Sequence, residues 1–496
     1  MKFRFIQNAI LLLMVALCHS AYSQKKKYNV LFIAIDNLRP QLGCYGFSNV
    51  KSPNIDKVAS EGVVFEKAYC QQALCSPSRT SLLTGLNPDV TGIITIGPHF
   101  RDSLPNIVTL PQHFKNNGYF TQGFGKIFHG GLDDPRSWSV PHDQGKNPRY
   151  APEGQAIIET KRQEKIKQGL DLTLRENRVF GPPVESYDAA DNYFLDGGNT
   201  ENALKALAKI KDSTFFLAVG FSNPHIPYIS PKKYWDLYDR SQIKLPDNQY
   251  APEGAPAWAL QSLDELNGYH NVPKPLTDDF KRELIHGYLA ATSYVDAQIG
   301  LLIDGLKKNG VYENTVIVIF GDHGYQLGQH GMWSNKHTNY ETSARVTLIV
   351  KTPETKAKGQ KSASIVQFVD LYPTLSDIVG LPKPAQGHGQ SFKPLLTNPK
   401  KKLNTYAFSQ YLKGGYYGYS VTDGRYRLVQ WKKGNETVLE LYDHTSDPDE
   451  NKNVAGNPAL KAVVASLTAQ INQRIENDKK DRKILGHTSQ AFNSEK

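Results

Sequence analysis

Several short runs of β-branched and aromatic residues, at 28–35, 119–124, 215–221, 315–320 and 346–350, are apolar without alternation. A strand that buries one face alternates apolar and polar residues; a strand covered on both faces has no reason to. Amphipathic helical patterns separate the runs, at 54–62, 110–117, 200–209 and the long 278–308. Strands alternating with helices predict a doubly wound, mostly parallel sheet with helices on both faces. At 496 residues the chain can hold one such large domain and a smaller one.

Chemistry-bearing residues follow these strands. Asp36 and Asn37 follow the first, and Lys126 and His129 the second. His225 follows the third, and Asp322 and His323 the fourth. Ligands of open α/β sheets bind beyond the carboxyl ends of the strands. Acids, imidazoles and a lysine are therefore expected along one rim.

The flanking regions read differently. Residues 133–191 are polar and rich in Pro and Gly, with a charged helix-like piece at 159–178, and are expected to form an insertion over the sheet. The sheet pattern ends near Pro394. Alternating strands at 416–431 and 438–442 and a closing helix at 458–478 predict a smaller α/β subdomain over 395–480 with an antiparallel sheet. A basic, polar tail at 481–496 is expected to be mobile. At the other end, Lys2 and Arg4 precede an apolar run at 9–17, and Ala21-Tyr22-Ser23 offers a small-residue cleavage site before Gln24. Residues 1–23 thus read as a secretory signal peptide, leaving 24–394 as the catalytic domain of an exported protein, periplasmic or secreted. The run is shorter than the roughly 20 apolar residues a membrane span needs.

Composition narrows the class. Apolar residues at 39% and charged residues at 21% exclude a disordered or fibrous chain. The net charge of +10 suits an anionic ligand, but it is spread along the chain, and no dense Lys/Arg stripe points to nucleic acid. Cys18 would leave with the leader, so Cys44, Cys70 and Cys75 remain. An odd number in an exported protein leaves at least one unpaired.

The most specific signal is Cys75-Ser76-Pro77-Ser78-Arg79-Thr80-Ser81-Leu82-Leu83-Thr84-Gly85. Pro77 fits the first turn of a helix and Gly85 its C-cap. Cys75 would then sit at a helix N-terminus, where free N–H groups and the dipole favour anions, with Arg79 one turn on along the same face.

This element resembles the C-x-P-S-R signature of type I sulfatases, and the resemblance covers nearly the whole chain after the leader. The strand at 29–40, Gly43-Cys44-Tyr45-Gly46, Gly125-Lys126-Ile127-Phe128-His129, Pro224-His225-Ile226-Pro227 and Gly321-Asp322-His323-Gly324 are similar to the iduronate-2-sulfatase-like branch. So are Leu327-Gly328-Gln329-His330-Gly331, Asp370-Leu371-Tyr372-Pro373 and Glu440-Leu441-Tyr442-Asp443.

The resemblance implies an alkaline-phosphatase-like fold and hydrolysis of sulfate esters. It implies a maturation enzyme that oxidises Cys75 to formylglycine, whose hydrate has one hydroxyl to attack sulfur and another to expel sulfate afterwards. It implies a Ca²⁺ ion, in preference to Mg²⁺, on Asp36, Asn37, Asp322, His323 and the modified Cys75. Arg79 would orient the hydrate, Lys126 and Lys336 would contact sulfate, and His129 would act as base. His225 would protonate the departing alcohol, and His330 would lie against substrate. Two departures stand out. Asn37 replaces a second aspartate, and Asn223 replaces a lysine that the iduronate branch often carries. Trp333-Ser334-Asn335-Lys336-His337 also has one residue more than relatives between Trp and Lys, which leaves Lys336 and His337 competing for one role. The implied substrate is a sulfated oligosaccharide from an algal (ulvan-like) polysaccharide or a glycosaminoglycan, 2-O-sulfated uronates included, attacked in an exo mode. A phosphomonoester or phosphonate hydrolase of the same superfamily, and a non-catalytic glycan-binding protein with intact Cys75, are the alternatives.

Overall fold

The structure is a computed structural model that describes residues 27–260 and 265–486. The expected signal peptide, residues 1–23, lies outside the described residues. Its centre is an eight-stranded mixed sheet. The strands are β1 (Asn29–Ile35), β2 (Val63–Tyr69), β3 (Phe120–Gly125), β4 (Phe215–Phe221), β5 (Thr315–Gly321), β6 (Arg345–Val346), β7 (Leu348–Lys351) and β8 (Gln360–Gln367). Across the sheet the order is β6-β2-β7-β5-β1-β4-β3, with β8 paired to β2. Strands β5, β1, β4 and β3 are mutually parallel, whereas β7 runs antiparallel to both β5 and β2.

Every residue of β1, β4 and β5 is buried, as their unbroken apolar runs require. Successive side chains point to opposite faces and feed two cores. Val30, Phe32, Phe216 and Val318 pack on one side with α2 (Cys75–Thr84), α3 (Leu110–Asn116) and α7 (Leu371–Val379). Leu31, Ile33, Leu217 and Ile319 pack on the other with α1 (Pro53–Glu61), α5 (Leu195–Ile210) and α6 (Asp278–Lys308).

Two expectations are corrected here. The run at 346–350 is not one parallel strand; it breaks at Thr347 into β6 and β7, both antiparallel to their neighbours. The charged helix lies at α4 (Pro152–Lys167) rather than 159–178. Pro152 starts it and Gly169, at φ 72°, turns the chain away. The segment after Asp133 runs beside the outer strand β3: Gly125 N–H donates to the Asp143 carbonyl at 2.8 Å, and Asp143 N–H to that of Gly123 at 3.0 Å. It therefore covers an otherwise open sheet edge.

Beyond α7 a four-stranded antiparallel sheet follows: β9 (Ala407–Lys413), β10 (Tyr416–Thr422), β11 (Tyr426–Lys433) and β12 (Glu436–Asp443). Helix α8 (Lys461–Ile484) packs on it through Leu467 and Ile471. The helix thus takes in the start of the segment expected to be a tail; residues from 487 on are outside the described ones. Among the described residues no helix is long and apolar enough to cross a membrane.

Candidate active site

Strand register brings the expected residues to one place. Ile35 pairs with both Phe221 and Gly321, and Gly125 with Gly220, so the carboxyl ends of β1, β3, β4 and β5 are level. The next residues continue the ladder. Asp36 N–H donates to the Phe221 carbonyl (3.1 Å), Asp322 N–H to that of Ile35 (3.1 Å) and Lys126 N–H to that of Gly220 (2.9 Å). Both end positions need glycine: a Cβ on Gly220 would sit 2.0 Å from the Lys126 carbonyl oxygen, and one on Gly321 2.2 Å from that of Leu38. The loop backbones pass too close for any side chain.

Helix α2 points its first residue at this rim. Cys75 follows Leu74, which is extended, and all ten helix residues are buried. Gly85 closes the helix at φ 72°, its N–H donating to the Ser81 carbonyl at 2.8 Å. The Cys75 Sγ lies 3.4 Å from Asp36 Oδ1 and 3.2 Å from His323 Nε2. Burial and then Asp36 push the thiol up to about 12, so the encoded side chain is protonated at neutral pH.

The two carboxylates are arranged alike. Asp36 Oδ2 is paired with Lys126 Nζ, and Asp322 Oδ2 with Arg79 Nε at 2.9 Å. The other oxygen of each faces the centre: Asp36 Oδ1 meets Cys75, and Asp322 Oδ1 accepts from Asn37 N–H at 3.1 Å and lies 3.6 Å from His323 Nε2. Burial works to raise the Asp36 carboxyl, but Lys126, His225 and Arg79 hold it well below the usual carboxylate range. It is therefore ionised.

These residues fit a divalent cation. Donor atoms of Asp36, Cys75, Asp322 and His323 all lie within 4.8 Å of one another. Asn37, in the left-handed region at φ 66°, has both side-chain polar atoms buried without a partner. A buried unpaired amide is costly unless something ligates it. Two carboxylate oxygens and an amide oxygen are hard donors of the kind Ca²⁺ takes. In this set the Cys75 sulfur stands in for the oxygen that an oxidised side chain would present.

Around this centre lie the remaining expected groups. Arg79 Nη1 donates to the carbonyls of Lys126 and Ile127 (the latter at 3.0 Å), while its Nη2 is buried with no partner. Burial and Lys126 bring His129 down to about 4, so it is neutral at pH 7. His225 Nε2 meets Lys336 Nζ at 2.9 Å. That contact separates Lys336 from its neighbour: the His337 ring stacks near Tyr411 (5.7 Å between centroids) instead of joining the cluster. His330 is also directed elsewhere. Its ring lies 5.0 Å from that of Tyr340, and the acids facing it are Glu450, Asp449 and Asp447 of the C-terminal subdomain. Arg345 faces Glu341.

Two residues had no signal in the sequence. Glu265, in an irregular stretch, pairs with Lys336 at 2.9 Å and lies 3.3 Å from His225. Buried Asp196, in the first turn of α5, accepts N–H bonds from Ser222 and Asn223 (2.8 Å each) and so holds the loop that carries His225. Cys44, Cys70 and Cys75 are all free.

Comparison with known proteins gives the family. The family model "Sulfatase" matches residues 28–381. The chain belongs to the sulfatase family. It is accordingly a sulfuric ester hydrolase, and its alkaline-phosphatase-like architecture is that of its relatives. A second model, N-sulphoglucosamine sulphohydrolase, C-terminal, matches residues 328–477 of this sulfatase. Iduronate 2-sulfatase of Mus musculus is 36% identical over 88% of this chain and 93% of its own. A sulfatase of Formosa agariphila is 32% identical over 89% and 86%. Among solved structures, a phosphonate monoester hydrolase of Agrobacterium radiobacter superposes with a TM-score of 0.73 at 21% identity, covering 91% of this chain and 96% of that one, which is a likeness of fold.

Proposed function

We propose that this sulfatase removes sulfate from the ends of sulfated oligosaccharides, using a formylglycine made from Cys75 by a maturation enzyme and a divalent ion, Ca²⁺ in preference to Mg²⁺. The observation that carries the reading is Cys75 at a helix N-terminus, 3.4 Å from Asp36 and 3.2 Å from His323, beside Asp322. The ion would be held by Asp36, Asn37, Asp322, His323 and the modified residue 75. Bound there it would polarise a sulfate oxygen, and the aldehyde hydrate would supply the nucleophilic oxygen.

The chain's own groups divide the rest of the work. Arg79, with a free Nη2, orients the hydrate, and Lys126 and Lys336 bind the sulfate oxygens as charge moves onto them. His129, neutral at working pH, takes the proton of the hydrate. His225 gives a proton to the alcohol that leaves. His330 stands apart from these groups, its ring against that of Tyr340, and would reach only a more distant part of the substrate.

The depth of the site supports an exo mode: Cys75 and Lys336 are each about 2% exposed or less, which favours a sulfate group presented at a chain end. Iduronate 2-sulfatase as a relative favours a glycan carrying sulfated uronates, from a glycosaminoglycan or an ulvan-like polysaccharide. Asn223, however, offers a uronate carboxylate no positive charge. Export to the periplasm or medium belongs to the same reading, and an N-terminus at Gln24 on the mature protein checks it.

The test is twofold. Mass spectrometry of the peptide spanning residue 75, taken from active protein made in its own cells, is expected to show the aldehyde; an intact thiol sinks the reading. Sulfate release from defined sulfated di- and oligosaccharides, set against aryl phosphate and phosphonate, is expected to favour sulfate. Preference for the phosphorus esters would move the protein to the alternative class.

A further inference from the structure

The pairing of His225 with Lys336 poses a charge problem. Their nitrogens lie 2.9 Å apart, yet binding sulfate calls for a charged Lys336 and protonating an alcohol for a charged His225. Two positive charges at that separation exclude one another unless an anion lies between them. Glu265 is that anion: its Oε2 is 2.9 Å from Lys336 Nζ and its Oε1 3.3 Å from His225 Nε2.

The hydrogen bonds give each oxygen a task. His225 Nδ1 lies 2.6 Å from the Ile226 carbonyl, which only accepts, so Nδ1 carries a hydrogen. The exchangeable proton is then the one on Nε2. Lys336 approaches Nε2 as a donor and favours the bare nitrogen; Glu265 approaches as an acceptor and favours Nε2–H. We propose that Glu265 is a positioning residue for the leaving-group side of the reaction, holding Lys336 with one oxygen and His225 with the other so that both are protonated when the ester bond breaks.

In that step a hydrate oxygen of the modified residue 75 would bond to sulfur, its proton passing to His129, while the S–O bond to the alcohol breaks and its electron pair stays on the alcohol oxygen, which takes the Nε2 proton. Neutral His225 keeps Nδ1–H and is recharged from water, and Glu265 stays ionised. On balance burial and then Lys336 hold His225 below its usual value, and Glu265 is the largest influence working the other way. Against burial, Lys336 and His225 hold Glu265 at about 2. The other titratable groups facing the trio are Asp36, Lys126, Cys75 and His323 at the rim and, beside Lys336, His337, which burial keeps neutral.

This inference rests on the sulfatase reading above, and the experiment separates the two. Mature full-length wild type, Glu265→Gln and Glu265→Asp are compared on p-nitrophenyl sulfate, phenyl sulfate and a sugar sulfate. Glu265→Gln is expected to lose about 10- to 100-fold in kcat on the sugar sulfate and progressively less as the leaving group improves. Its alkaline limb should move to lower pH, because His225 without its anion gives up the proton sooner. Glu265→Asp should restore part of both. A loss of equal size on all three substrates, no loss, or an unmoved alkaline limb overturns the role of Glu265 alone. A wild type that releases no sulfate from any of them overturns the reading beneath it, and the role with it.

Discussion

Asn37 carries one charge fewer than an aspartate in its place would, and its surroundings show what that costs. Both polar atoms of its side chain are buried and unpaired, and its backbone is left-handed, a conformation that Asn and Asp tolerate alike. Asn37→Asp therefore changes charge without changing backbone. Since Ca²⁺ affinity rises with ligand charge, the variant is expected to bind Ca²⁺ about tenfold more tightly by calorimetry. Without the ion it is expected to melt lower than wild type, because a third carboxylate would be crowded beside Asp36 and Asp322. Added Ca²⁺ should reverse that order; equal melting with and without the ion would count against Asn37 as a ligand. At this scale the sequence was readable where a residue follows a strand or belongs to a dense motif, as do Asp36, Cys75, Lys126 and Asp322. It was silent on Glu265, which reaches Lys336 from an irregular stretch with no periodicity to anchor it, and on Asp196, whose acceptor role exists only once the chain has folded back. It was also silent on direction: nothing in the local pattern tells that Lys336 turns inward to His225 while the His330 ring lies against Tyr340.

Between elements, the catalytic rim depends on strand ends meeting at one level. Gly220 is the tightest of these joints. Its missing Cβ would lie 2.0 Å from the carbonyl oxygen and 2.7 Å from the nitrogen of Lys126, so Gly220→Ala must push the Lys126 segment outward. The variant is expected to lose on the order of 1–3 kcal/mol of stability in denaturant titration. A shift near 1 Å at Lys126 should cut sulfate release by about a hundredfold. Full activity would mean the segment has slack that the packing does not suggest. The strands buried on both faces were plain in the sequence, because burial on two sides writes an unbroken apolar run. Strands β2 and β8 were not. Glu66 and Lys67 interrupt β2, and β8 is an outer strand whose first residues are exposed, so neither offers such a run. The same lack of context fused β6 with β7 and misplaced α4, whose charged surface has no apolar stripe to mark its ends.

As a whole, the molecule uses its C-terminal sheet to brace one wall of the site. The segment after β5 that carries Lys336 is held from that side: Asn339 Nδ2 donates to the Gly418 carbonyl at 3.0 Å, Tyr340 OH to Glu440 at 3.0 Å, and Glu341 pairs with Arg427. Lys413, at the end of β9, donates to the carbonyl of His337 at 2.6 Å. Burial alone brings this lysine down to about 7. The unfolded chain keeps its proton up to about 10.5. Between those values the unfolded state binds more protons than the folded one, so stability rises with pH; the contribution is complete above the upper value and lost as pH falls through 7. The wild type should therefore gain a few degrees of melting temperature between pH 7 and pH 9.5, relative to Lys413→Met, in which that part of the rise is gone. If the two profiles stay parallel, Lys413 is charged throughout and the brace is an ion–dipole contact. If the wild type gains on the variant with rising pH, the wall that carries Lys336 is held by a neutral amine, and loosening it in Lys413→Met should weaken sulfate binding more than it slows turnover.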